Sequence, residues 1–461
     1  MATLNDTVRV HIAAILPILH DMTDIKAYLS LHDIPEPKAK NDDGFKNRLV
    51  CPKWWKRTLD RKQSREIEAK QIETGKVHSR GEKYASDYAV TKAVMRSHAG
   101  QEFVKTHAMI SDADDIVEMT DIVRGSLANP TNRRAELMIR MAGFEAYAMS
   151  NGYVGEFLTI TCPSKYHRYS QGEFNPAYDN DHISPKSAQK YLCGIWANMR
   201  RKMNHEGVRV FGFRVAEPHH DGCPHWHMLL FVEQSKVELL RAIMQGYALE
   251  CDGDEPGADK YRFKAVSIDP NQGTATGYIA KYISKNLGFS IDPETVGEPD
   301  QTDYGRRVKA WASIWGIRQF QQIGGVPVSI WRELRKLSEE IDDPVIETAR
   351  LAADESRWAD FLEIMGGATV TRDEMAIKLK KNTLFDMNSG EIKQNRYGEI
   401  LSLVMGLFSV LCDVKTKLKF WNLIPVSRLA AQKGNQAARA AGAFPAWSPV
   451  NNWAQPSQKA A

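Results

Sequence analysis

Residues 208–232 read VRVFGFRVAEPHHDGCPHWHMLLFV and predict two strands joined by a tight turn. Residues 208–217 and 225–232 are rich in β-branched and aromatic side chains, which favour strands. The segment between them contains Asp-Gly, a turn signal, and has a proline at each end, where a strand stops. This stretch is therefore predicted to form an antiparallel hairpin.

The sequence on both sides of this hairpin alternates between strands and helices. Residues 157–161 and 263–268 have strand-like patterns, and three segments have helical ones: 186–205, 238–249 and 274–287. The resulting order β–α–ββ–α–β–α predicts an α+β fold with a central antiparallel sheet and helices packed on it. We expect mainly helical regions on the N- and C-terminal sides of this core.

A length of 461 residues predicts two or three domains. A break at 129–132 precedes a helix over 133–150, which Thr131 or Asn132 could cap. The tail is rich in Ala, Gly, Asn and Pro, which indicates disorder. The expected regions are a basic helical segment over 1–80, a helical segment leading into the α+β core over 81–150, that core over 151–340, a mainly helical domain over 341–430 and a disordered tail over 431–461.

Composition excludes several classes of protein. Apolar residues make up 43% of the chain and charged residues 26%, which is ordinary for a globular protein, and the net charge of +4 excludes a uniformly basic, histone-like protein. No apolar run reaches the roughly 18 residues of a membrane span, so no membrane partner is expected. The N-terminus lacks the pattern of a secretory signal and the six cysteines are scattered. These features predict a cytoplasmic protein without a disulfide framework or a zinc ribbon.

His225 and His227 form the strongest chemical signal in the chain. Side chains alternate along a strand, so both imidazoles lie on one face and could bind a single metal ion. Glu217 ends the preceding strand and can come alongside His225, on a face where an unpaired carboxylate would be costly. The alternative is that both rings are hydrogen-bonded core residues. His219 and His220 are rival ligands, although in the turn they could simply be solvated.

Tyr278 and Tyr282 form the second signal. They are four residues apart on the predicted helix 274–287, so their phenols are neighbours, with Lys281 and Lys285 beside them. The aliphatic residues of this helix form a separate stripe, so the tyrosines are not needed for the main core. They could be boundary residues of an amphipathic helix, or nucleophiles, because a phenol can attack phosphorus when a metal or cation polarises the phosphate.

Two segments are basic and contain tryptophans. Residues 46–70 include Trp54 and Trp55, and residues 305–336 include three further tryptophans. The first segment could be a solvated helix face anchored by its tryptophans. Alternatively, such clustered cations contact DNA phosphates.

These blocks, in this order, resemble the bacteriophage replication gene A protein family, which lies within the HUH endonuclease superfamily of rolling-circle replication initiators. The similar strings are PHHDGCPHWHMLLF (218–231), TGYIAKYISKN (276–286), IRQFQQIGGVPVSIWRELRKL (317–337) and NPTNRRAELMIRMAGFE (129–145). The resemblance covers roughly residues 85–340. It implies an HUH-type central sheet and an enzyme that nicks and rejoins single-stranded DNA at a replication origin.

The resemblance also implies roles for individual residues. His225, His227 and Glu217 would bind magnesium or manganese, although two imidazoles would by affinity favour zinc or a late transition metal. Tyr278 and Tyr282 would form 5′-phosphotyrosine links, with Lys281 holding the phosphate. The side chains expected to bind DNA are Lys285, Arg306, Arg307, Lys309 and Arg318.

A host polymerase would extend the 3′-hydroxyl that cleavage leaves. A host helicase or DNA supercoiling would open the duplex, since the sequence contains no P-loop motif. Two other functions remain open at this point. One is a non-catalytic DNA-binding replication adaptor, and the other is a metal-dependent phosphodiesterase that uses water.

Overall fold

A computed structural model describes residues 3–170, 172–178, 183–269, 273–287, 303–385 and 390–428. The predicted disordered tail, 431–461, lies outside these residues. Within them, no helix is long and apolar enough to cross a membrane.

The chain folds into fifteen described helices and thirteen described strands. The helices are α1 (Leu4–Ile15), α2 (Met22–Leu31), α3 (Asp42–Leu49), α4 (Pro52–Glu73), α5 (Asp87–Thr106), α6 (Met119–Gly125), α7 (Pro130–Ser150), α8 (Pro185–His205), α9 (Val237–Leu249), α10 (Ala258–Tyr261), α11 (Ala275–Leu287), α12 (Asp303–Trp315), α13 (Val328–Leu334), α14 (Pro344–Asp354) and α15 (Trp358–Ile364). The strands are β1 (His107–Ser111), β2 (Ile116–Glu118), β3 (Tyr153–Thr161), β4 (Tyr169–Ser170), β5 (Glu173–Phe174), β6 (Val210–Pro218), β7 (Pro224–Glu233), β8 (Phe263–Ser267), β9 (Phe320–Ile323), β10 (Lys378–Thr383), β11 (Ser402–Phe408), β12 (Asp413–Lys415) and β13 (Trp421–Pro425).

These elements form two compact units. The first combines Met1–Thr74 with Lys380–Met405, and the second combines Gly75–Leu379 with Gly406–Ala461. The first unit has its own core, made by α1 to α4, in which Trp55 is fully buried and stacks on His11 at a centroid distance of 4.7 Å. Trp55, in the basic segment 46–70, therefore belongs to the hydrophobic core of this unit.

A five-stranded antiparallel sheet organises the second unit. Its strand order is β8-β3-β7-β6-β9, with the predicted hairpin β6–β7 at its centre. Helices α7 and α11 cover one face, where buried phenylalanines form the core. On the other face Trp226 of β7 donates a hydrogen bond to Gln189 of α8. The expected α+β fold with a central antiparallel sheet is confirmed.

The predicted helical segments at 81–150 and 341–430 need correction. The first contains the strand pair β1–β2 between α5 and α6, and α7 is capped by Asn129 rather than by Thr131 or Asn132. In the second, helices α14 and α15 are followed by four strands, so the region is mixed rather than mainly helical. The physical reason is long-range pairing, because β1 is hydrogen-bonded to β13 as well as to β2. Local periodicity carries no signal for such a sheet.

Candidate functional site

The hairpin β6–β7 brings the predicted metal ligands together. Glu217 pairs directly with His225 across the two strands, and His227 lies two residues further along the same face. The indole Nε1 of Trp311, on α12, donates a hydrogen bond of 2.8 Å to the carbonyl of Gly222 in the turn. The turn is thus held from outside by a buried tryptophan, which limits the movement of the ligands on either side.

The three side chains converge on one point. Nε2 of His225 lies 3.0 Å from Nε2 of His227, which in turn lies 3.7 Å from a carboxylate oxygen of Glu217. One ligand atom from each residue lies within 4.8 Å of the others. Glu217 is only 5% exposed, so its carboxylate has lost most of its water and requires compensating charge.

Thr159 orients one of these imidazoles. Its Oγ1 lies 3.1 Å from Nδ1 of His227, and the two residues are directly paired between β3 and β7. With Nδ1 occupied in this way, Nε2 is the nitrogen that faces Glu217 and His225. Sequence reasoning treated the segment 157–161 only as a strand and missed Thr159. The register of β3 against β7 would have revealed it.

The donor set fits a divalent cation. Two imidazole nitrogens and a buried carboxylate oxygen face a common point, and one imidazole has an outer hydrogen-bond partner, as metal-bound histidines usually do. Two imidazoles suit late transition metals, whereas the carboxylate also suits magnesium or manganese. The ligand chemistry by itself therefore leaves the identity of the cation open.

A second group of polar side chains backs this cluster. The ring of His219 lies 4.1 Å from that of His225, and burial lowers the pKa of His219 to about 3, which keeps it neutral. Next to it, Nδ1 of His167 lies 3.1 Å from a carboxylate oxygen of Asp221. His219 is half-buried, whereas His220 is exposed, so the interpretation as a solvated turn residue suits His220 better than His219.

The tyrosine helix α11 is fixed at its N-terminus by a glutamate from α7. The carboxylate of Glu145 accepts hydrogen bonds from the backbone N–H groups of Ala275 (2.6 Å) and Thr276 (3.0 Å). Thr274 caps the same end, because its Oγ1 accepts a hydrogen bond from the N–H of Gly277. Ile279 is fully buried against the sheet. The helix is therefore held at its N-terminus by the cap and on the sheet by the burial of Ile279.

The two tyrosines occupy different environments. The ring of Tyr282 lies 4.3 Å from the imidazole of His227 and 5.4 Å from Phe157. Burial raises the pKa of Tyr282, and the nearby Glu217 carboxylate raises it further. Tyr278 is 43% exposed and contacts the same surface only through Phe157, at a centroid distance of 6.1 Å. Of the two phenols, Tyr282 is the one whose ring packs against a candidate metal ligand.

The predicted phosphate-contacting residues are dispersed. Lys281 and Lys285 lie on α11, but their side chains fall outside the described residues. Arg306 and Lys309 are exposed on α12. Arg307 is 13% exposed and forms ion pairs with Asp303 and Asp87, which ties its guanidinium to the protein. Arg318 lies at the exposed edge of the sheet, just before β9.

Comparison with known proteins identifies a family and several relatives to which this chain is similar. Residues 28–290 match the model of the bacteriophage replication gene A protein family. The chain is 39% identical to a probable replication protein of Pseudoalteromonas phage PM2 (85% of this chain, 61% of the relative) and 39% identical to the replication gene A protein of Escherichia phage 186 (88% and 59%). It is 31% identical to a probable replication endonuclease from a prophage-like region of Salmonella typhi (88% and 51%).

The chain thus spans about 51 to 61% of the length of these relatives. No solved structure matches it. Since the family match extends over more than half of the chain, this protein belongs to the bacteriophage replication gene A protein family.

Proposed function

We propose that this protein is a site-specific endonuclease that nicks and rejoins single-stranded DNA to initiate rolling-circle replication. One observation carries the proposal. The phenol ring of Tyr282 lies against His227, and the ligand atoms of His227, His225 and Glu217 lie within 4.8 Å of one another. A nucleophile and a cluster of cation ligands are thus held side by side. Relatives named replication endonucleases support a nuclease activity.

In the proposed reaction a tyrosine Oη attacks the scissile phosphorus. A bond forms between Oη and phosphorus, the bond between phosphorus and the 3′-oxygen breaks, and the DNA is left with a 5′-phosphotyrosine link. The phenol gives up its proton and the departing 3′-oxygen takes one up, which produces a free 3′-hydroxyl. Rejoining is the reverse attack by a 3′-hydroxyl, and a second tyrosine allows a second cleavage while the first link is held.

His225, His227 and Glu217 would hold the divalent cation, which we take to be magnesium or manganese. When bound, such a cation polarises a non-bridging phosphate oxygen and offsets developing negative charge. The protein supplies the rest. Thr159 orients His227, and Glu145 holds the N-terminus of α11, so Tyr282 stays against the ligand cluster. Lys281 is proposed to contact the phosphate.

The proposed substrate is single-stranded DNA at a replication origin inside a bacterial host cell. Cleavage leaves a 3′-hydroxyl, which a host polymerase would extend. A host helicase would separate the strands. The side chains proposed to contact DNA are Lys285, Arg306, Arg307, Lys309 and Arg318, and Arg307 could do so only by exchanging its ion pairs with Asp87 and Asp303 for phosphate.

Covalent capture tests this proposal. A 5′-labelled or 3′-labelled single-stranded origin oligonucleotide is incubated with the protein and magnesium or manganese, and the denatured products are separated by size. We expect a protein-linked DNA fragment whose attached peptide contains Tyr278 or Tyr282. The double variant Tyr278→Phe, Tyr282→Phe should lose it, and His227→Ala should lose it while still binding DNA.

Other outcomes would point to the other two functions. Salt-sensitive DNA binding without cleavage under any metal would indicate a replication adaptor. Free 5′-phosphate ends without protein-linked DNA would indicate a hydrolase that uses water. An adduct in the double phenylalanine variant would contradict the assignment of the nucleophiles.

A further inference from the structure

A large open cleft lies beside the sheet at its β9 edge. It has a volume of about 760 Å³ and is bounded by α7 on one side and by β9, the following glycine turn and α13 on the other. These walls are formed by residues of the segments 129–145 and 317–337, and of their cationic lining residues Arg318 is already proposed to contact DNA. The fold brings the two strings together in one surface.

This cleft is strongly cationic. We call it the arginine cleft and define it by its charged lining residues: Arg133, Arg140, Arg318, Arg332, Arg372 and Glu136. The described lining residues thus include five guanidinium groups and one carboxylate. Guanidinium groups match phosphate oxygens in geometry and are weakly hydrated, so such a set favours phosphate groups as ligands.

Arg140 is the deepest of these cations. It is 7% exposed, and Nε has no hydrogen-bond acceptor beside it within the described part of the chain. Burial lowers the pKa of Arg140 to about 10, which still leaves the guanidinium charged at neutral pH. A buried, charged donor that lacks an acceptor is costly unless a ligand supplies one.

The walls of the cleft are held in place before any ligand binds. Arg332 donates two hydrogen bonds to Glu136, at 2.8 and 2.6 Å, and Arg140 donates to the amide oxygen of Gln322 at 2.9 Å. Gly325 adopts a left-handed φ of 67°, and a Cβ there would lie 2.5 Å from the ring of Phe144. The glycine lets the turn pack tightly on α7, which closes the floor of the cleft.

The arginine cleft lies close to the ligand cluster and on the same face of the sheet. Phe320, which lines the cleft, pairs with Val215, and Val215 pairs with His227. Two strand spacings correspond to about 10 Å between the backbones of Phe320 and His227. Phe320 is half-buried, so part of its ring remains available for stacking on a base.

We propose that the arginine cleft binds the sugar–phosphate backbone of the single DNA strand on one side of the scissile bond. This inference rests on the proposed function, because it extends the path of the substrate from the tyrosine helix to the β9 edge. A groove lined by cations with an aromatic side chain at its edge is a common design for binding single strands without sequence preference.

The test separates DNA binding from cleavage. Affinity is measured by fluorescence anisotropy in EDTA, with the full chain carrying Tyr278→Phe and Tyr282→Phe and with a labelled oligothymidylate of about 20 nucleotides. The cleft variant adds Arg133→Gln and Arg318→Gln, both exposed and on opposite walls. The matched control adds Lys190→Gln and Arg201→Gln, which remove equal charge from the exposed surface of α8 on the other face.

We expect the cleft variant to bind about 25-fold more weakly at about 0.1 M salt, with a salt slope smaller by about 1.4, because each phosphate contact to a single strand contributes about 0.7 to that slope. The α8 control should bind like the parent. Parental affinity and slope in the cleft variant would overturn the inference, and so would an equal loss in the control. If the protein with both tyrosines still forms the adduct but the cleft variant binds DNA like its parent, the nicking proposal stands. The cleft, together with the proposed DNA contact of Arg318, is then refuted.

Arg140 provides a second, independent variant. Arg140→Lys keeps the charge but removes the forked donor set, so we expect weaker binding of the same oligonucleotide with a nearly unchanged salt slope. Folding is checked by the circular dichroism spectrum and the melting temperature. Unchanged affinity in a folded Arg140→Lys protein would contradict a direct phosphate contact by this guanidinium.

Discussion

The ring of Tyr282 packs against His227 at a centroid distance of 4.3 Å, whereas Tyr278, one helical turn earlier, is 43% exposed and lies 6.1 Å from the ring of Phe157. The two phenols therefore differ in solvation and in contact with the ligand cluster. A pair of equivalent nucleophiles would not require this asymmetry. Under the proposed function, we therefore predict that the tyrosines act in different steps.

We predict that Tyr282→Phe reduces the first cleavage of a single-stranded origin oligonucleotide by about a thousandfold or more, because loss of a nucleophile usually costs at least that much. Phenylalanine keeps the aromatic ring that packs against His227, so the variant should remain folded. Tyr278→Phe should still cleave but should fail to transfer the strand to a second oligonucleotide. Rapid-quench measurement of adduct and joined product distinguishes the two steps. The opposite pattern, with Tyr278→Phe losing the first cleavage, would reverse the assignment.

We predict that the hydroxyl of Thr159 increases the affinity of the proposed metal site for its cation. Thr159→Val keeps the shape of the side chain but removes the hydroxyl beside Nδ1 of His227, and loss of such an outer partner typically weakens metal binding about 10- to 100-fold. Isothermal titration with Mn²⁺ measures the effect. Thr348→Val, at an exposed threonine on α14, is the control. Equal Mn²⁺ affinities in both variants would exclude an orienting role for Thr159.

Some of this site could be predicted from the sequence because its geometry is local. Alternation along a strand places His225 and His227 on one face, and a tight turn then places Glu217 opposite His225, as observed. The helical spacing of Tyr278 and Tyr282 is equally local. These relationships depend only on a few consecutive residues.

Other parts depend on contacts between distant segments. The register of β3 against β7 determines that Thr159 meets His227, and the docking of α7 determines that Glu145 meets the start of α11. The arginine cleft has the same origin, since Arg133 and Arg318 are brought together only by the fold. Hydrophobic periodicity reports which face of an element is buried but not which element covers it, so these contacts had no sequence signal.

We predict that the first unit loses stability in acid because the Glu399 carboxylate becomes protonated. This carboxylate is 3% exposed, accepts two hydrogen bonds from Arg48 (both 2.9 Å) and one from the N–H of Lys40 (2.7 Å). These bonds lower the pKa of Glu399 to about 2. Because the pKa is lowered in the folded state, the stabilisation is complete above the unfolded value of about 4.3 and is lost as the pH falls towards 2.

Hydrogen–deuterium exchange of peptides covering α3 checks this prediction at a series of pH values. Glu399→Gln should exchange faster than the wild type at pH 7, and the difference should shrink as the pH falls from about 4.3 to about 2. Glu36→Gln, an exposed glutamate in the same unit, serves as the control and should behave like the wild type. A difference between Glu399→Gln and the wild type that stays constant across this range would show that the effect is not electrostatic.

Glu145 is predicted to act as a positioning residue for the tyrosine helix. Glu145→Ala removes the acceptor for the N–H groups of Ala275 and Thr276, and loss of a helix cap costs about 1 kcal/mol. We therefore expect slower adduct formation, with Mn²⁺ affinity unchanged because no ligand is altered. Glu145→Gln, which can still accept one hydrogen bond, should recover part of the rate. A parallel loss of Mn²⁺ binding in Glu145→Ala would indicate a general disturbance of the core and not misplacement of Tyr282.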